Sequence, residues 1–247
     1  MVGGRFSHPK PGRSGKTVPL GVNDLAFLLD VDNTLLDNDR LKEDLAKTIQ
    51  GIVGERASQE FWAIYESVRA EEQVVDIPTT VAHFAKDRPD VPIDRVQAAV
   101  DAIDFAAYVY PGAFETLTYL GELGPTIIVS DGDHVFQRRK IEQSGLAEAV
   151  GGRVILTVHK QSELGRVFEA FPAGHYALID DKASIIAGVG RRYPQRVTTV
   201  LVCQGKYARL DAHPRPDLVV GHIADVARVP RAEFFLTEPS GRAASSE

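Results

Sequence analysis

Two carboxylates two residues apart, Asp30 and Asp32, follow directly on the apolar run 25–29, Leu-Ala-Phe-Leu-Leu. A run of that length and character reads as a buried strand. Side chains at i and i+2 of a strand share a face, so extended geometry through Asp32 aims both carboxylates at one point. Buried like charges repel. Such a pair needs a cation, a shared proton or a reactive role. Read without chemistry, the same residues are an Asp and an Asn turning the chain at a strand end. The polar residues farther along decide between the two.

Those residues depend on the elements that must position them. From Arg40 to about Ala107 the pattern is helical: Leu41, Leu45, Ile49 and Ile52 fall at helical spacing, as do Phe61, Ile64, Tyr65 and Val68. Further helices are expected over 79–86 and 93–106, with Pro78 opening the first and Pro89 and Pro92 separating the two. From Pro111 onward strands and helices alternate. The spacing predicts strands at 126–129, 154–157, 176–179, 197–201 and 218–220, and helices at 113–122, 134–144, 162–170, 183–191 and 223–228. Short apolar runs separated by helices imply a parallel sheet covered on both faces. Ligands of such sheets bind outside the carboxyl ends of the strands. The polar groups stand there: Ser130-Asp131-Gly132-Asp133 after the second strand, His159-Lys160 after the third and Asp180-Asp181 after the fourth.

Two acids, a hydroxyl, a lysine and two further acids, in that order at four strand ends, resemble motifs I to IV of the haloacid dehalogenase-like (HAD) superfamily over about residues 25–201. The resemblance implies an α/β fold: a Rossmann-like parallel-sheet core over 25–37 and 110–230, with a helical C1-type cap inserted at 38–109. It also implies a phosphatase acting on a small phosphorylated metabolite. In that chemistry Asp30 is the nucleophile that forms an aspartyl-phosphate, and Asp32 is the general acid and base. Thr34, Ser130, Asp131 and Lys160 would hold the phosphoryl oxygens. Mg²⁺ would be bound by Asp30, by Asp32 through its backbone carbonyl, and by Asp181, with Asp180 a second ligand or the partner of Lys160. Motif IV departs from the commonest family pattern, because Ser184 and Ile185 stand where a third acid is usual.

Asp32 also bears on the reaction. Halide needs no proton to leave, and by resemblance the superfamily's dehalogenases lack this second acid, so Asp32 favours phosphoryl transfer. A phosphomutase uses the same residues, and a non-catalytic phosphate-binding regulator on the same fold is the competing class. A phosphonate-cleaving relative would need a Schiff-base lysine in the cap, where Lys42, Lys47 and Lys86 read as solvated. In the cap Trp62, Tyr65 and Arg69 lie on one helical face and could meet the substrate. Arg138-Arg139-Lys140 reads as an exposed helix face.

Composition bounds the rest. The chain has 247 residues, 44% hydrophobic and 25% charged, with a net charge of −6, which argues against general nucleic-acid binding. Its single cysteine, Cys203, excludes an intrachain disulfide and suits a reducing, cytoplasmic setting. No stretch has the length and apolarity of a membrane span. Residues 1–24 and 231–247 read as flexible tails. Within the first, Gly12-Arg13-Ser14-Gly15-Lys16-Thr17 has two residues between its glycines where a phosphate-binding P-loop needs four. Oligomeric state has no signal in the sequence.

Overall fold

Every residue of Leu25–Leu29 is apolar, and the segment forms strand β1, buried on both faces. The structure is a computed structural model that describes residues 24–72, 77–86, 88, 90–206 and 213–235. After β1 the chain is helical: α1 (Asn38–Val53), α2 (Glu55–Glu72), α3 (Ile77–Ala85), α4 (Ile93–Asp101) and a 3-10 turn, Phe105–Tyr108. Asp37 caps α1, its carboxylate accepting from the Arg40 amide at 3.0 Å. Leu41, Leu45 and Ile49 turn one face of α1 inward, against Phe61 and Tyr65 of α2, Val81 and Phe84 of α3 and Val96 and Val100 of α4. Phe61 meets Phe84 edge-on at 5.3 Å. The helix expected over 93–106 ends at Asp101. Asp104 accepts from the Ala106 amide at 3.2 Å, and this local bond starts the separate 3-10 turn. Pro89, expected to separate two of these helices, lies outside the described residues.

The strands that follow are β2 (Thr126–Asp131), β3 (Val154–Thr157), β4 (His175–Asp180), β5 (Val197–Val202) and β6 (Leu218–Val220). Between and around them run α5 (Ala113–Leu123), α6 (Phe136–Gln143), α7 (Leu146–Ala149), α8 (Lys160–Ala170), α9 (Ala183–Arg192) and α10 (Ile223–Val226). The described strands form one parallel sheet, ordered β3-β2-β1-β4-β5-β6. Alternate residues of β1 serve opposite faces. Leu25, Phe27 and Leu29 share a core with α5, α6, α7, α10 and the inserted helices, whereas Ala26 and Leu28 share one with α8 and α9. This is why the strand is apolar throughout rather than alternating. Gly112 opens α5 at φ +81° and also permits the close packing of α5 on α10, since a Cβ there would fall 2.5 Å from that of Ala224.

The chain leaves β1 outward through β2 and β3, then returns to the other side of β1 at β4. A crevice opens at the carboxyl ends where the order reverses. Here it lies between β1 and β4, whose Leu29 and Ile179 are register partners. The next residues are Asp30, Asp180 and Asp181. No helix among the described residues is long and apolar enough to cross a membrane.

Residues 1–23 and 236–247 lie outside the described residues. The folded region nevertheless extends past the expected boundary at 230. Arg231–Phe235 form a 3-10 turn, and Phe234 is buried with its ring edge-on to Phe27 at 5.0 Å. Covering Phe27 with an aromatic side chain offsets the entropy of ordering the turn. Phe234→Ala should therefore destabilise the protein by about 3–5 kcal/mol, read by urea denaturation. A loss below about 0.5 kcal/mol, the range of ordinary surface changes, would show that the turn is dispensable.

Candidate active site

The chain turns sharply just after β1. The amides of Thr34, Leu35 and Leu36 all donate to the Val31 carbonyl, at 3.2, 2.9 and 2.9 Å, and Asn33 adopts φ +62°. Extended geometry therefore does not run through Asp32 and beyond, and the two carboxylates enter different surroundings. The turn is clamped from the loop after β5. Gln204 donates through Nε2 to the Thr34 carbonyl at 3.1 Å and accepts from the Ile223 amide at 2.6 Å. Gly205 (φ +67°) lies so close that a Cβ would meet Asn33 Cβ at 2.6 Å.

Asp30 is buried among charges. Lys160, the first residue of α8, donates through Nζ to Asp30 Oδ1 at 2.6 Å and to Asp180 Oδ2 at 2.8 Å. The other oxygen of Asp180 accepts from the Lys182 amide at 2.8 Å. Asp131 has a different role from the one expected. Its Oδ1 accepts from the Lys160 amide at 2.8 Å and from Thr157 Oγ1 at 2.5 Å, so its side chain fixes the start of α8. A carboxylate is also the wrong charge for a phosphoryl oxygen. Ser130 Oγ is buried and accepts from Gln137 Nε2 at 2.9 Å, leaving its proton available to a ligand.

Burial pushes the Asp30 carboxyl up; Lys160 pulls it down, Asp180 adds to the rise, Lys182 opposes it and Asp32 adds again. Asp181 is pushed up to about 9 by burial first, then by Asp180 and Asp30. Lys160 is raised: burial opposes its charge, but Asp180, Asp30 and Asp131 hold the proton. Lys182 is raised for the same reason, with Asp30 and Asp180 outweighing burial. Four buried oxygens here have no hydrogen-bond partner: Asp30 Oδ2, Thr34 Oγ1 and both oxygens of Asp181. Buried polar groups are normally satisfied, so such a concentration marks a place for a ligand. One carboxylate oxygen from each of Asp30, Asp180 and Asp181 lies within 4.8 Å of the others. Hard anionic oxygens in that cluster fit a hard divalent cation. Asp32 places no side-chain oxygen in the cluster.

Asp32 has its own counter-ion. Lys140 of α6 is only 1% exposed and donates to Asp32 Oδ1 at 2.7 Å and to Asn38 Oδ1 at 3.0 Å. Burial alone would raise the Asp32 carboxyl, but Lys140, by charge and hydrogen bond, with Lys182 and Lys42 behind it, brings it below the ordinary carboxylate range. The expectation of an exposed face at 138–140 thus holds only for Arg138. Arg139 donates to Asp101 Oδ1 at 2.9 Å and to the Val100 carbonyl at 3.0 Å. The missed signal was spacing, because Lys140 stands four residues after Phe136 and next to Ile141, both buried.

Lys42 also departs from expectation. It is half-buried, its ammonium 5.0 Å from the Tyr65 ring centroid, and burial draws it down to about 8 against the pull of Asp32. Trp62 and Tyr65 meet edge-to-face at 5.2 Å and pack with Phe61 into the core of the inserted helices. Arg69 is half-exposed and donates to Glu66 at 3.2 Å. Lys182, Lys140, Lys42 and Gln204 carried no motif signal. His134 is exposed. A groove of about 600 Å³ between α8 and α9 shares Lys160 with the site but holds none of Asp30, Asp32 or Asp181.

A family model of haloacid dehalogenase-like hydrolases matches residues 25–181. A haloacid dehalogenase-like hydrolase from Burkholderia xenovorans is 39% identical over 87% of this chain and 99% of its own, with a TM-score of 0.80. A HAD-hydrolase from Bacillus subtilis, whose structure is bound to magnesium, is 16% identical over 83% of this chain and 98% of its own, with a TM-score of 0.58. L-2-haloacid dehalogenase from Xanthobacter autotrophicus is 16% identical over 82% and 96%, with a TM-score of 0.54. The last two share the fold. No curated protein matches the chain.

The Asp181 environment sets a pH dependence. Without a cation, the folded state keeps a proton on Asp181 that the unfolded chain releases near pH 3.8, so the group's stabilisation is full below that value and is lost as pH rises to about 9. In EDTA, Asp181→Asn should be more heat-stable than the parent, by a margin that widens from pH 5 to pH 9. Added Mg²⁺ should raise the melting temperature of the parent and not of the variant. A margin independent of pH would show that the buried carboxyl is not under this strain.

Proposed function

The chain belongs to the haloacid dehalogenase-like hydrolase family, and on that premise we propose that it is a Mg²⁺-dependent phosphatase acting on a small phosphorylated metabolite. The observation that carries the reading is the set of unpartnered carboxylate oxygens on Asp30 and Asp181 beside Lys160. Three buried acids around one point suit a divalent cation and the oxyanions it brings with it. Asp32 adds support, since a second acid next to the nucleophile is of use to an alkoxide leaving group and of none to halide.

Bound by Asp30, Asp180 and Asp181, with the Asp32 carbonyl, Mg²⁺ would neutralise phosphoryl charge as an anionic nucleophile approaches. Everything else falls to the chain. Asp30 attacks phosphorus, forming a P–O bond to its carboxylate as the bond to the leaving oxygen breaks. Ser130, Thr34 and Lys160 hold the non-bridging oxygens. Lys160 also aims Asp30 and pulls it toward the anionic form against burial, since its ammonium bridges Asp30 and Asp180. Asp32 gives a proton to the leaving oxygen, then takes one from the water that attacks the aspartyl-phosphate and frees Asp30. Lys140 holds Asp32 anionic at rest, which is the form the second half-reaction needs. An arriving phosphoryl group adds negative charge and raises Asp32 toward the protonated form that the first half-reaction needs.

Turnover of 4-nitrophenyl phosphate should require Mg²⁺ and vanish in EDTA, and Asp30→Asn should be inactive. Full activity in metal-free buffer would overturn the reading. Asp32→Asn should lose about 10²–10⁴-fold on an unactivated alkyl phosphate, the usual contribution of general acid–base catalysis. It should still label Asp30 from the aryl ester, whose leaving group needs little protonation. Mass spectrometry after reduction of the acyl phosphate locates the label, and a label elsewhere would sink the mechanism.

A further inference from the structure

The charges around the site fall into two groups with different counter-ions. Lys160 and Lys182 belong with Asp30, Asp180 and Asp181. A second set, Lys140, Lys42, Lys206 and Arg69, centres on Lys42: Lys140 pairs with Asp32, and Lys140, Lys206 and Arg69 each repel the Lys42 ammonium. It is assembled from four elements. Lys140 comes from α6, Lys42 from α1 and Arg69 from α2, four residues on from Tyr65 and so on the same face. Lys206 comes from the loop after β5 and is tethered to α1 through Asp39, which accepts from its amide at 3.0 Å and faces its ammonium at 3.7 Å. Asp39 and Lys42 are three residues apart, on one face of α1.

Three of these cations have a carboxylate at salt-bridge distance: Lys140 has Asp32, Lys206 has Asp39 and Arg69 has Glu66. Lys42 has none among the described residues. It rests on the Tyr65 ring, half-buried, attracted by Asp32, whose charge Lys140 already pairs, and repelled by Lys140, Lys206 and Arg69. A long, flexible side chain could turn to water and escape that repulsion. Holding it there costs stability unless an anion arrives. The position says which part of a substrate that anion would be. Asp32 meets the leaving oxygen, its partner Lys140 also holds Asn38 Oδ1 of α1 at 3.0 Å, and Lys42 stands one helical turn on from Asn38 on the same face, so a group carried by the leaving oxygen along α1 meets Lys42.

We propose that Lys42, with Lys206 and Arg69 beside it, binds a second anionic group, a carboxylate or a second phosphate, on the leaving alcohol of the substrate. The site would then prefer a phosphorylated acid or a bisphosphate over a phosphate ester of a neutral alcohol. The inference rests on the phosphatase reading for the name of the leaving group, but the binding preference can be measured without turnover.

Calorimetric titration of the Asp30→Asn protein with Mg²⁺ and, in turn, glycerol 3-phosphate, 3-phosphoglycerate and glycerol 1,3-bisphosphate separates the cases. The two ligands with the second anion should bind about 10- to 100-fold more tightly than glycerol 3-phosphate, the span expected of a hydrogen bond to a charged group. Adding Lys42→Met should collapse that ratio toward unity, and Lys42→Arg should keep most of it, which distinguishes charge from a need for a primary amine. A preference for only one of the two anionic ligands names the anion. Equal affinity for all three ligands, or a ratio untouched by Lys42→Met in a protein with an unchanged circular dichroism spectrum, overturns the proposal. If the parent enzyme hydrolyses none of the esters while the binding ratio and its loss persist, the phosphatase reading fails and the anion site stands.

Discussion

The Lys160 ammonium is the interaction on which the site depends. It lies buried between Asp30 at 2.6 Å and Asp180 at 2.8 Å, joining the carboxyl ends of the two central strands through one side chain. Two carboxylates could not sit that close in a low-dielectric interior without it. Its position is enforced from behind, because Asp131 holds its backbone amide and thereby the start of α8. Removing one partner of such a buried group leaves an uncompensated charge, a loss of about 3–5 kcal/mol in typical proteins. The same arrangement leaves Asp181 unsatisfied. The acid cluster is thus balanced only in part by the ammonium groups, and the remainder is met by a proton held on Asp181 or by a bound cation.

Asp30 and Asp32 show how two identical side chains come to differ. In both, burial is the largest single influence and pushes the carboxyl upward. The nearest ammonium differs in what else it must serve. Lys160 is shared with Asp180, and the carboxyl of Asp30 stays raised. Lys140 is shared only with the neutral amide of Asn38, and Asp32 ends below its ordinary value. Division of labour between acids can therefore come from the counter-ion's other obligations. The turn that separates the two acids is held by neighbours far along the chain, since Gln204 and Gly205 press against Asn33 and Thr34.

The inserted helices serve the fold and the site at once. Their inner face is a packed core in which Phe61, Tyr65 and Phe84 are buried, and that packing gives the insertion its own rigidity. The face of α1 beyond it carries Lys42, over the Tyr65 ring, and Asp39, which meets Lys206 of the loop after β5. A charged side chain on a rigid helix is placed more accurately than one on a loop.

Much of this was legible in the chain alone. Two periods, one near 3.6 residues over 40–107 and one of short apolar runs after 111, determined the helical insertion and the parallel sheet, because burial on one helical face or on both sheet faces leaves its mark on residue type. The ordered placement of Asp30, Ser130, Lys160 and Asp180-Asp181 at strand ends determined where the chemistry would lie. What the sequence could not decide was pairing across long separations. Lys140 looks like any lysine in a basic run, and only the packing of α6 against the end of β1 turns it into the partner of an acid 108 positions away. Lys42 and Lys182 are likewise ordinary until the fold surrounds them with charge. Phe234 looked like tail until Phe27 offered it a surface. Local periodicity reports which side of an element is buried. Which charges meet there depends on how the elements stack, and that information is held by the tertiary structure alone.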